Sequence, residues 1–251
     1  MKNVYLFGLL GSGIASPRPL SRPENHVRIS SMLKTGTGPE YSDNWAGAYQ
    51  TGSGITKVVG VIKVPSINDL GNRHAVSAWV GIDGTHKCDG DSGLLQTGID
   101  IHGDGQIVPW HEWYPDPARD FYEFHISGGD ILRLTVVATS NTTGTATIEN
   151  LTSGEHVSHD MEAPPDAPVC GRTADWIIED FFTEDGPAPL LDFGNITIYN
   201  TSATGTGAPL TVQGAQIIDL EEEDEDGKED VVTDCEIQGD AVTCQYLESS
   251  N

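Results

Sequence analysis

From residue 44 to residue 247 no segment sustains a helical period over three turns. Short β-branched or alternating runs, as at 58–64, 131–139 and 145–151, are separated by Gly, Pro, Asn and Asp. That pattern confines the chain to an all-β sandwich or barrel of antiparallel strands. With 251 residues, 37% of them hydrophobic, it can bury one sizeable core but not clearly two, so a single domain is expected. The longest apolar stretch, 4–10, is too short to make a membrane-spanning helix.

Charge narrows the function classes. Lys and Arg number 13 against 38 Asp and Glu, a formal charge of −25, and such a chain repels phosphate backbones and anionic membranes. Neither a nucleic-acid nor a membrane partner is expected. Five cations (Lys2, Arg18, Arg22, Arg28, Lys34) and two acids (Glu24, Glu40) precede Tyr41, so the remainder carries 8 − 36 = −28. Self-repulsion of that size is relieved near pH 4, where carboxylates protonate, and suits acidic surroundings.

Residues 1–15 read as a weak secretory signal: Lys2, an apolar stretch, then small residues ending at Ala15. Residues 16–40, rich in Pro, Ser, Arg and Thr, read as a disordered pro-segment or linker, leaving 41–251 as the folded domain. Four cysteines, Cys88, Cys170, Cys235 and Cys244, favour two disulfides in a secreted chain. Cys235 and Cys244 bracket a short hairpin with Gly239-Asp240 as its turn, so 235 with 244 and 88 with 170 is the simplest pairing. No metal-site spacing is present and no cofactor is expected. Sequons begin at Asn141, Asn150, Asn195 and Asn200. The segment 219–230, with nine acids and one Lys, reads as a solvated loop.

Strand alternation sorts the candidate site residues. At 76–83 the apolar face is Val76, Ala78, Val80 and Ile82, which leaves Ser77, Trp79, Gly81 and Asp83 opposite. Leu95, Ile99 and Ile101 likewise leave Gln96, Gly98 and Asp100 on the other face. Trp110, Glu112 and Tyr114 share a third face, and Glu179 lies between Ile177 and Phe181 on a fourth. If these strands are neighbours, one sheet face presents aromatic rings interleaved with carboxylates and an amide, the composition of a ligand groove. There is no Gly-x-Ser-x-Gly elbow, no obvious free thiol, and no matched pair of Asp-Thr/Ser-Gly segments. Carboxylate chemistry with an amide partner remains.

Five separated runs occur in order: Asn44-Trp45-Ala46-Gly47, Ala78-Trp79-Val80-Gly81-Ile82-Asp83-Gly84, Leu95-Gln96-Thr97-Gly98, Glu112-Trp113-Tyr114-Pro115 and Ile177-Ile178-Glu179-Asp180-Phe181. In these runs the chain resembles the glutamic peptidases, or eqolisins, over residues 41–247. The resemblance implies a two-sheet antiparallel β-sandwich (concanavalin-like), secretion as a preproprotein, and endopeptidase activity at acidic pH without a metal. It places the catalytic pair on Gln96 and Glu179. It also places substrate-binding residues on Trp79, Asp83, Trp110, Glu112 and Tyr114, with Trp45, Asp100 and Phe181 less securely assigned. The chain departs from the family pattern at His111, where the family's type member has Tyr, and at Val108, where it has Asp. The implied partner is a polypeptide substrate, with a monomer as the default state.

The residue types make chemical sense of that pair. An ionised Glu179 can take a proton from the attacking water and return it to the leaving amine, while the untitratable Gln96 amide can donate to the oxyanion at any pH. A carbohydrate-active or carbohydrate-binding sandwich is the rival reading, with aromatic rings stacking on sugars and Glu112 and Glu179 as the two carboxylates. That reading gives Gln96 no task.

Overall fold

The computed structural model describes residues 29–30, 38–67, 74–85, 88, 92–183, 186–187, 189–223 and 227–248. The signal segment and most of the expected pro-segment lie outside them. The strands are β1 (Ile29–Ser30), β2 (Glu40–Ser42), β3 (Trp45–Thr51), β4 (Ile55–Lys63), β5 (Ala75–Ile82), β6 (Leu94–His102), β7 (Ile107–Tyr114), β8 (Arg119–Asp120), β9 (Ile131–Ala138) and β10 (Thr143–Asn150). They continue as β11 (His156–Glu162), β12 (Thr173–Glu179), β13 (Phe182–Thr183), β14 (Gly186–Pro187), β15 (Asn195–Gly205), β16 (Gln216–Glu223), β17 (Glu229–Val231), β18 (Thr233–Gln238) and β19 (Ala241–Tyr246).

Two sheets carry the fold. The front sheet runs β1-β2-β16-β3-β12-β5-β6-β7-β8, with β17 joined to β16, and the back sheet runs β11-β10-β9-β4-β15-β19-β18. Every pairing is antiparallel except β2 with β16. The chain is therefore an all-β sandwich, as the strand pattern implied.

Alternation builds the core. From the front sheet Val76, Ala78, Val80 and Ile82 of β5, Leu95, Ile99 and Ile101 of β6, and Ala174, Trp176 and Ile178 of β12 face inward. They meet Val58 and Ile62 of β4, Leu132, Leu134 and Val136 of β9, and Ala146 and Ile148 of β10. Trp176 is fully buried, and its indole N–H reaches the Val59 carbonyl of the back sheet at 2.9 Å, so its polar atom is satisfied across the layer.

Two disulfides close the structure, Cys88–Cys170 and Cys235–Cys244, the pairing read from the sequence. The second clamps the β18–β19 hairpin, whose turn needs the left-handed φ of 65° that Gly239 supplies.

The acidic segment requires a correction. Residues 219–230 are not one solvated loop, because their first part is the end of β16, where Asp219 and Leu220 pair with β2 and residues 221–223 pair with β17. Leu220 is buried in the core, and buried Asp219 accepts the Cys235 N–H at 2.8 Å and the Thr233 hydroxyl at 3.3 Å. Local repulsion is outweighed there by apolar burial and by donors aimed at a carboxylate. At the other end of the chain, Glu40 lies inside β2, and Ile29 and Ser30 pair with Ser42 and Tyr41.

Candidate active site

Paired residues on neighbouring strands point to the same side, so the front sheet's face away from the core is organised in rows. One row reads Tyr49, Asp175, Gly81, Gln96, Glu112 across β3, β12, β5, β6 and β7. The next reads Gly47, Ile177, Trp79, Gly98, Trp110, and the third Trp45, Glu179, Ser77, Asp100, Val108. Gln96 and Glu179 therefore share one face, with β5 between their strands. They are offset by two rows, Gln96 opposite Gly81 and Glu179 opposite Ser77.

Trp79 fills the row between them. Its indole N–H donates to Glu179 Oε2 at 2.8 Å, and Trp45 meets its ring edge-on at a centroid distance of 4.9 Å. Trp45, Tyr49, Trp79, Leu94, Trp110, Ile177 and Ile218 form a second apolar cluster on this face, with Tyr114 packed at its margin. Gln96 and Glu179 are each 4% exposed. The Gln96 amide is oriented by Glu112, whose Oε2 accepts from Gln96 Nε2. Gln96 Oε1 is buried and has no hydrogen-bond partner. The site thus combines an aimed carbonyl oxygen, an amide held by its nitrogen, and a carboxylate held by an indole.

Of the residues expected to line the groove, Trp79, Trp110, Glu112 and Tyr114 come together with Gln96 and Glu179. Asp83 does not. Its buried carboxylate turns to the 170–173 backbone, where Oδ2 accepts the N–H groups of Cys170 (2.6 Å) and Gly171 (2.9 Å) and Oδ1 those of Arg172 (2.6 Å) and Thr173 (3.3 Å). The chain leaves β5 at Asp83 with φ 67°, so the pleat ends and the side chain no longer continues the face of Trp79 and Gly81. Through these four N–H groups Asp83 holds the strand-entry loop of β12. Of the less secure residues, Trp45 and Asp100 lie in the third row, and Phe181 packs against Ala75 and the His102 ring.

Three acidic or hydroxyl groups at the site were not singled out from the sequence. Asp175 has the same parity as Ile177 and Glu179, a signal that was there to be read. It is wholly buried, accepts from the Thr85 and Thr173 hydroxyls at 3.4 and 3.3 Å, and its pKa is raised well above the ordinary value by burial and by the Asp83 charge. Asp180 is pushed up to about 8 by burial, then by the Glu222 and Glu179 charges, and its Oδ1 is buried without a hydrogen-bond partner. Tyr49 donates to both Glu40 oxygens at 3.2 Å, and its hydroxyl is raised by burial and by that carboxylate. Among the described residues the only close group of metal-ligand atoms is Asp83 with Cys88 and Cys170. Those sulfurs are joined in a disulfide and that carboxylate is occupied by backbone donors, so it cannot act as a metal centre.

The fold is a two-sheet sandwich whose front face carries an amide, a carboxylate and a cluster of aromatic rings. Residues 43–246 match the Peptidase A4 family, and the chain belongs to it: it is a glutamic endopeptidase. It is 39% identical over 233 residues to aspergillopepsin-2 of Aspergillus niger, covering 84% of this chain and 80% of that one. To scytalidopepsin B of Scytalidium lignicola it is 37% identical over 211 residues, covering 81% and 78%. The crystal structure of scytalido-glutamic peptidase with a transition-state analogue inhibitor superposes with a TM-score of 0.72 at 36% identity, over 82% of this chain and 98% of that one.

Proposed function

We propose that the chain is a secreted acid endopeptidase that hydrolyses polypeptides with Glu179 as general base and then acid, and with Gln96 as oxyanion donor. The observation that carries this reading is the pair of oriented polar groups on one face: a buried Gln96 Oε1 without a partner and a Glu179 carboxylate anchored through one oxygen by Trp79. A water between them donates to Gln96 Oε1 and gives its second proton to Glu179 as its oxygen attacks the scissile carbonyl carbon. The carbonyl oxygen becomes the oxyanion and receives the Gln96 N–H that Glu112 does not occupy. One such donor is worth roughly 3 kcal/mol in other hydrolases. Collapse of the tetrahedral adduct breaks the C–N bond, and the Glu179 proton passes to the leaving nitrogen, which restores the carboxylate.

Glu112 supports this reading against a two-carboxylate glycosidase, because one of its oxygens is committed to the amide that the glycosidase leaves unused. Secretion is supported by the two disulfides and the absence of a free cysteine among the described residues. Purified Glu179→Gln and Gln96→Ala proteins, compared with the parent on denatured protein at pH 3 to 5, test the proposal. Both should lose activity by at least about 100-fold while remaining folded. Substantial proteolysis by folded Glu179→Gln refutes the assigned base.

A further inference from the structure

Trp79 lies where a sheet would ordinarily crowd it. Directly across on β6 is Gly98, and two residues along β5, on the same face, is Gly81. A Cβ on Gly98 would sit 2.5 Å from the Ala78 carbonyl oxygen and 2.5 Å from Trp79 Cβ. A Cβ on Gly81 would meet Leu94 Cδ1 at 2.8 Å, Trp79 Cζ3 at 3.0 Å and Gln96 Cβ at 3.4 Å. Neither glycine has a positive φ, so backbone conformation does not ask for glycine at these places; space does.

The Trp79 side chain therefore starts against one missing side chain, at Gly98, and its ring lies against the other, at Gly81. Its six-membered ring reaches Gly81, beside Gln96, while its N–H meets Glu179 two rows away. It spans the register offset between the two polar groups.

We propose that Gly98 and Gly81 are positioning residues for the reaction, leaving the space that the root and the ring of Trp79 occupy so that the indole holds Glu179 at its working distance from Gln96. This rests on the assignment of Gln96 and Glu179 given above. The two glycines differ in the kind of obstacle a side chain would meet. At Gly98 it meets backbone and the root of Trp79, neither of which can yield without opening the β5–β6 pairing. At Gly81 it meets the ends of side chains, of which Leu94 can turn aside. Gly98→Ala must accordingly displace the indole further than Gly81→Ala.

Two readouts separate positioning from general damage. Kinetically, folded Gly98→Ala should lose about 100-fold in kcat with KM changed by less than roughly threefold. The acid limb of its kcat profile should move to higher pH, because an N–H donor that favours ionised Glu179 is withdrawn. Trp79→Phe should move that limb the same way, and the double variant should lose little beyond either single one. Independently of turnover, the Trp79 indole N–H resonance of 15N-labelled protein, assigned by its absence in Trp79→Phe, should titrate with a carboxylate. That titration should vanish in Glu179→Gln and be displaced in Gly98→Ala. Gly81→Ala should show the same signs at smaller amplitude, and it carries the test if Gly98→Ala does not fold. An unmoved resonance together with a kcat loss additive to that of Trp79→Phe would overturn the inference. If Glu179→Gln stays active, the catalytic assignment fails while the resonance still reports whether the glycines set the indole's position.

Discussion

Neutral pH should weaken this fold through a carboxyl group that can be named. Asp180 follows the proposed base in sequence, is raised from 3.8 to about 8, and faces Glu179 of its own strand end and Glu222 of β16. Because its folded pKa lies above its unfolded one, the folded chain keeps a proton that the unfolded chain releases above about pH 4. The associated stability is fully present below that pH and is lost as pH rises towards 8. Each unit is worth about 1.4 kcal/mol, so between pH 4 and pH 7 this one group removes on the order of 4 kcal/mol. That is a large part of the 5–15 kcal/mol typical of a whole domain. Urea unfolding followed by tryptophan fluorescence at pH 4, 5.5 and 7, in a Gln96→Ala background to suppress self-digestion, measures it. Asp180→Asn cannot ionise. Its stability relative to its parent should rise by a few kcal/mol between pH 4 and pH 7, whatever constant cost the amide adds at both. Buried Asp175 and Asp219 shift in the same direction, so the parent's own slope is steeper than Asp180 alone gives, and the difference between the two proteins is the quantity to read. Parallel stability curves for the two would refute the reasoning.

His111 acts in the opposite sense: burial, His159 and Arg119 lower it to about 4, and its ring stacks on that of His159 at 4.2 Å and lies 4.7 Å from Phe121. Its stability is present above the unfolded value near 6.5 and is lost as pH falls towards 4, so His111→Phe should raise Tm at pH 3 and leave it nearly unchanged at pH 7 in calorimetry. Asp83→Asn removes an acceptor from part of a set of four backbone N–H groups and should cost roughly 3 kcal/mol or more in urea unfolding. The fraction of Asp83→Asn that remains folded should keep its KM, whereas a groove role would raise it. Asn150 is 1% exposed, donates to Asp130 at 2.8 Å and accepts from the Thr152 and Ser153 N–H groups. Peptide mapping of protein made in a secreting eukaryotic host should find glycan on exposed Asn141, Asn195 or Asn200 and none on Asn150.

The faces of β5 and β6 were legible because a pleated strand can only alternate, and each carries mainly apolar residues on one parity and the polar or aromatic site residues on the other. That regularity sorts Trp79, Gln96, Glu112 and Glu179 onto one face of each of their own strands, and the strand pairing joins those faces into one side of the sheet. Strand alternation stops applying at Asp83 for a definable reason. Parity holds only while the backbone stays extended, and a left-handed residue at a strand end turns its side chain off the face; a run ending Asp-Gly gives the warning, since both residues tolerate that region. The acidic segment failed for a different one. Counting charges over 219–230 ignores that Leu220 is buried, and that a carboxylate such as Asp219 can be stabilised by the N–H of Cys235, 16 residues away, which only the fold brings to it. The offset between Gln96 and Glu179 was out of reach altogether. It depends on how β12, β5 and β6 slide against one another, and what restricts that slide is visible only in space: with Gly98 opposite Trp79, a shift of one residue would turn every aromatic of this face into the core. The same bare positions, Gly98 against the root of Trp79 and Gly81 under its ring, leave the space that the proposed positioning of Glu179 requires.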